Sequence, residues 1–150
     1  IFVLTSCGDG GKTLKVAATA IPHADLLEQV QSELKEKGID LQIIVVEDYN
    51  TPNRALADKE VDANFFQHRP FLDMQIKEFG YRLEPLAAVH IEPMGLYSKK
   101  HKDLKLAKGA SIAVPVDPTN QARALLLLEK NGLVRLKKQT ADVSVLDVEK

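Results

Sequence analysis

Tryptophan is absent, and the aromatic complement is small: three tyrosines and five phenylalanines in 150 residues. A surface that stacks on sugar rings or cages a quaternary ammonium draws on more such side chains, so those functions are set aside. Charge of one sign is not in excess either. Twenty Lys and Arg face 21 Asp and Glu, a formal net charge of −1, and the basic footprint of a nucleic-acid binder is missing. No apolar run approaches the roughly 18–20 residues of a membrane-spanning helix. No phosphate-binding glycine loop, GxGxxG or G-x-S-x-G elbow occurs, and no nucleophile, base and orienting group assemble into a catalytic set. No enzyme activity and no cofactor are expected. What is present is an ordinary globular composition, 45% hydrophobic and 27% charged, with enough apolar residues for a core.

Cysteine occurs once, so no disulfide can form within this sequence. Its setting is informative. Cys7 ends an apolar run, Ile1 to Leu4, through Thr5 and Ser6, and is followed by Gly8-Asp9-Gly10-Gly11. Leu4-Thr5-Ser6-Cys7 resembles a bacterial lipobox, in which the cysteine is lipidated and becomes the mature N-terminus. Residues 1–11 then read as a signal-peptide remnant, lipobox and flexible tether. The competing reading is an N-terminal strand that ends in a free cysteine.

Strand and helix signals alternate through the next eighty residues. TLKVAATA (13–20) is a short apolar strand pattern. IPHADLLEQVQSELKEKGI follows, with Leu26, Leu27, Val30 and Leu34 at helical spacing and Gly38 as its stop. DLQIIVVED is a continuous apolar run, as for a strand covered on both faces. NTPNRALADKE reads as a short helix, VDANFFQ as a third strand, and HRPFLDMQIKEFG as a third helix stopped by Gly80. LEPLAAVHIEPMGLYS is extended again. This order predicts right-handed βαβ units on a mainly parallel sheet. Ligand sites in such sheets lie at the carboxyl ends of strands, here Thr19–His23, Asp48–Asn50, Phe65–His68 and His90–Gly95. A second unit follows a charged connection: ASIAVPVD as a strand, then a helix, with GLVRLKK and VSVLDV as further strands.

The helix of that second unit poses a question. Asp117-Pro118-Thr119 is a helix start, Asp for capping and Pro for the first turn. Yet Arg123 lies within two turns of the positive end of the dipole, where a cation is mildly unfavourable. Asn120 and Arg123 stand one turn apart on one face. An anion is expected there; the alternative is a surface arginine paired with Glu129 or with solvent.

ATAIPHADLLE, DYNTPNRALA, VDANFFQHRPFL, AAVHIEPMGLYS and VPVDPTNQARALLLLE together resemble the NlpA-type lipoproteins, the methionine-binding components of bacterial methionine ABC importers. The likeness covers Lys12 to Leu136. It implies an α/β, two-lobe periplasmic-binding-protein-like (type II) architecture with mainly parallel sheets. The first lobe would occupy residues 12–92, the crossing 93–98, and part of the second lobe 99–150, with the rest of that lobe and the return to the first lying beyond Lys150. It also implies a lipid-anchored receptor on the bacterial cell membrane, facing periplasm or exterior. Its ligand would be methionine, L- rather than D-, and its partners the permease and ATPase subunits of an importer.

By this resemblance, Asn120 and Arg123 match positions that contact the backbone of the bound amino acid. A guanidinium presents paired donors to a carboxylate, and the helix N-terminus favours an anion. Tyr49, Phe66 and His68 match the positions around the methionine side chain, where sulfur–aromatic contacts contribute roughly 0.3–1.5 kcal/mol each. Phe66 is chosen over Phe65 because it shares the face of His68; the family often carries Tyr at the position of Phe65. His90 either lines the cleft or satisfies backbone groups near the crossing. His23 either caps the following helix or reaches the ligand, and His101 is solvated. Acceptors for the ligand ammonium, backbone carbonyls or a carboxylate such as Glu92, stay open. A rival reading is a zinc receptor using His23, His68 and His90. It lacks a short His-x-His cluster and gives Arg123 no purpose.

Overall fold

The computed structural model describes residues 11–107 and 109–149. Cys7 and its neighbours fall outside them. The chain separates into two compact units, one ending at Leu86 and one beginning at Ala87.

The first unit is α/β with a parallel sheet. Its elements run β1 (Lys12–Thr19), α1 (Asp25–Glu36), β2 (Ile39–Val46), α2 (Thr51–Ala57), β3 (Ala63–Phe65) and α3 (Arg69–Phe79). Strand order is β2-β1-β3, all parallel, with Lys12 opposite Ile39, Thr19 opposite Val46, and Val16 opposite Ala63. The central strand explains the small residues of its sequence. Val16, Ala17 and Ala18 are buried, and Ala17 packs with Ala55 and Val61 beneath the sheet. Alanine leaves room for helices to approach a strand that is covered on both sides.

Breakers end the helices where the sequence places them. Gly38 and Gly80 adopt φ of 75° and 72°, a conformation that costs glycine little and other residues more. β2 differs from expectation: Leu41 is buried, but Ile44 and Val45 are exposed. Among the described residues β2 is an edge strand, covered on one face by α1, whose Gln31 Nε2 donates to the Leu41 carbonyl at 2.8 Å.

The second unit is built on α4 (Pro118–Lys130). Asp117 caps it, accepting from Asn120 N–H at 2.9 Å. Ala122, Leu125, Leu136 and Val143 form its core, and burying each leucine contributes about 1.5–3 kcal/mol. Gln121 ties the unit together, donating to the Pro115 carbonyl at 3.1 Å and accepting from Val145 N–H at 3.3 Å.

The strands expected in the second unit are a correction. GLVRLKK and VSVLDV meet in a single antiparallel bridge, Leu136 to Val148, beside a 3-10 turn at Val145–Asp147. ASIAVPVD joins no ladder among the described residues, and neither does LEPLAAVHIEPMGLYS, the extended segment read before the second unit. A strand is stable only when its N–H and C=O groups find a partner, and here Leu86, Ile91 and Tyr97 stand with their side chains in solvent.

Candidate functional site

Each unit carries one group of predicted residues. In the first unit, the turn after β2 is organised by Asp48. Its Oδ1 accepts from Asn50 N–H and Thr51 N–H at 2.7 Å each, and its Oδ2 from the Thr51 hydroxyl at 2.6 Å. This arrangement starts α2 and sets Tyr49 at the carboxyl edge of the sheet. The Tyr49 ring lies 6.0 Å from Phe66 and 5.9 Å from Phe71, and Phe66 lies 6.0 Å from Phe71. Three rings thus form a triangle, with edge-to-face or tilted geometry that suits aromatic quadrupoles.

Phe65, the last residue of β3, and Phe66, just beyond it, go to different partners, as the alternation read from the sequence predicts. Phe65 meets the buried His23 edge-on at 4.8 Å, while Phe66 joins the triangle. His23 does not cap α1: the helix has no side-chain cap, and His23 Nδ1 sits 2.8 Å from the Thr19 hydroxyl. His68, half-buried, is the residue from which α3 starts, and its carbonyl accepts from Phe71 and Leu72 N–H. Phe71 was not a predicted site residue. On sequence it is an apolar position of a helix, and only its place under Tyr49 and Phe66 marks it.

The Thr51 hydroxyl and backbone N–H bonds hold the Asp48 carboxyl below its ordinary value of 3.8. A depressed folded-state value stabilises the fold fully above the unfolded value, and that stability is lost as pH falls through the folded value. The thermal midpoint of the wild type should therefore fall more steeply below about pH 4 than that of Asp48→Asn, with parallel curves above about pH 5. Asp142 and Asp147 are lowered too and contribute alike to both proteins. Superimposable acid limbs would remove the role assigned to Asp48.

In the second unit, Arg123 Nη1 donates to Asn120 Oδ1 at 2.7 Å and Nη2 to the Glu92 carbonyl at 3.2 Å. Glu129 is not its partner; that carboxylate accepts from Leu136 N–H at 2.8 Å. The side chain of Glu92 lies 2.8 Å from His90 Nε2. His90, Glu92, Asn120 and Arg123 therefore form one cluster at the start of α4. Two of the five guanidinium donors are used on neutral oxygens. The Glu92 carbonyl was invisible in advance, because a backbone acceptor leaves no mark on residue identity. His101 lies in an exposed turn, where its N–H donates to the Ser98 hydroxyl at 2.9 Å.

The profile of the NlpA lipoprotein family matches residues 14–150. The chain belongs to this family. Methionine-binding lipoprotein MetQ of Bacillus subtilis (strain 168) is 45% identical over 158 residues, covering 99% of this chain and 58% of that protein. A nutrient binding protein from Burkholderia cenocepacia, solved bound to methionine, is 42% identical with a TM-score of 0.86, covering 91% of this chain and 59% of that one. An ABC transporter periplasmic substrate-binding protein from Coxiella burnetii is 46% identical with a TM-score of 0.83, at 91% and 59% coverage. This family member thus spans somewhat more than half the length of these relatives.

Proposed function

We propose that this chain is the ligand-binding part of a lipid-anchored extracytoplasmic receptor that captures methionine, L- in preference to D-, and passes it to the permease and ATPase subunits of an ABC importer. The observation that carries the reading is the Arg123 guanidinium. It is oriented by the Asn120 amide oxygen and the Glu92 carbonyl, both neutral, so its charge is left for a ligand carboxylate. The N-terminus of α4 adds polarity of the same sign. His90 and Asn120 complete that half of the recognition. The Tyr49, Phe66 and His68 group receives the thioether, an apolar and polarizable chain that aromatic edges and faces accommodate.

The names and ligands of the relatives support the same substrate and transport class. The lobes are assigned as residues 12–92 and 99–150, with the crossing at 93–98. A receptor of this class responds to its ligand by the ligand's differential affinity for one of its states. Function is then binding and handover, with no covalent chemistry.

Titration calorimetry on the delipidated full-length protein tests this. L-methionine should bind one to one, D-methionine more weakly, and 3-(methylthio)propylamine, which lacks the carboxylate, far more weakly. Equal binding of the amine would contradict the role of Arg123, and binding of zinc alone would favour His23, His68 and His90. The anchor has its own test. A fatty-acid analogue fed to cells should label the wild type and not Cys7→Ser, and label retained by the variant would show that Cys7 is not the lipidated residue.

A further inference from the structure

The ligand-facing residues Phe66 and His68 sit in a connector that belongs to no regular element. β3 ends at Phe65 and α3 begins at Arg69, so neither ladder nor helix holds residues 66–68 as a unit. The middle residue, Gln67, is held by its side chain instead. Its Nε2 donates to Asn53 Oδ1 at 2.7 Å, while Asn53 Nδ2 donates back to Gln67 Oε1 at 2.9 Å. The two amides close a reciprocal ring. Asn64 completes the network: its Nδ2 donates to Asn53 Oδ1 at 3.0 Å and to the Pro52 carbonyl at 3.2 Å, and its Oδ1 accepts from Gln67 Nε2 at 3.2 Å.

The orientations follow from chemistry. The Pro52 carbonyl only accepts, so Asn64 must turn its NH2 toward it, and that same NH2 obliges Asn53 to present its oxygen. Gln67 must then present its NH2 to that oxygen and its own oxygen to the Asn53 NH2. Asn53 is fully buried, in the first turn of α2. A buried amide that lost these partners would be costly, and a fully satisfied network specifies one arrangement. The same turn of α2 follows directly from the Asp48–Thr51 bonds that set Tyr49.

We propose that Asn53 is a positioning residue of the methionine site. It never touches the ligand, but through Gln67 it fixes the connector that presents Phe66 and His68, and it registers that connector against Tyr49. Binding selectivity for the thioether side chain therefore depends on an amide pair one layer behind the aromatic wall. The inference rests on the methionine-receptor reading.

A double-mutant cycle in the full-length protein tests it. Asn53→Leu keeps the approximate shape and removes the amide. It should weaken methionine binding by about tenfold, the scale of one buried hydrogen bond. The loss should largely vanish when Phe66→Leu is already present and persist in an Arg123→Lys background. A merely structural role would lower the thermal midpoint and leave Kd unchanged, or add equally in both backgrounds; either result overturns the proposal. If Asn53→Leu does not fold, Gln67→Leu, at a half-buried position, is put through the same cycle. If the wild type itself binds no methionine, the receptor reading fails separately. The positioning claim is then read by NMR: Asn53→Leu should shift the Tyr49 and His68 ring resonances, and unmoved resonances would overturn it.

Discussion

Arg123→Ala in the full-length protein is expected to weaken methionine binding by about 3 kcal/mol, roughly a hundredfold in Kd. Truncating one partner of a desolvated charge pair removes the attraction and also leaves the ligand carboxylate without its counter-charge, which is why the expected loss exceeds that of a surface ion pair. The fold should hardly notice. Arg123 is exposed, and Ala122 and Leu125, which pack with Leu136 and Val143 in the core of its unit, lie on another face of α4. Arg123→Lys supplies the control. It keeps the charge and loses the planar fork that bonds Asn120 and Glu92 together, so an intermediate affinity is expected. Calorimetry beside thermal unfolding separates the two effects, and an unchanged Kd in Arg123→Ala would mean that no carboxylate sits there.

The second large effect is expected at Phe71. It is 4% exposed and supports both Tyr49 and Phe66. Phe71→Ala should cost about 3–5 kcal/mol of stability, the transfer term plus the cavity left behind. Because Tyr49 and Phe66, the rings proposed to receive the thioether, lose the ring they rest on, methionine affinity should fall as well. Phe71→Leu should recover most of the stability and less of the affinity, since it fills volume without restoring the aromatic edge. Chemical denaturation and calorimetry on both variants decide this. Stability lost with affinity fully retained in Phe71→Ala would place the methionine side chain elsewhere.

The contrast between Arg123 and Phe71 shows which parts of the molecule were legible in its sequence. Helices α1 to α4 could be read because each carries a local signal: apolar spacing, Pro in the first turn of α2, α3 and α4, or Gly38 and Gly80 at their ends. β1 and β2 could be read because their apolar runs are flanked by those helices. The segments around Leu86, Ile91 and Val114 carry equally apolar runs and yet form no ladder among the described residues. Strand formation depends on a partner's edge, and no local signal encodes whether one is in reach.

The site divides in the same way. Asn120 and Arg123 drew attention because a cation at a helix start contradicts the dipole, but only the family resemblance pointed them to a ligand carboxylate. Phe66 was separable from Phe65 by alternation together with the place of His68 two residues on. Phe71 was hidden because an apolar residue in a helix is ordinary, and Asn53 and Gln67 were hidden because isolated amides are ordinary in loops and first turns. Their meaning lies in a pairing across 14 residues of sequence. The Glu92 carbonyl was hidden most completely, since every residue has one.

The most direct test of the central claim needs no guess about the ligand. The full-length protein is purified in a form that carries no lipid and without added amino acids, denatured, and the released small molecules are identified by mass spectrometry. The account predicts methionine in near-equal amount to protein. A different amino acid in that amount, or a bound metal with no amino acid at all, would contradict it.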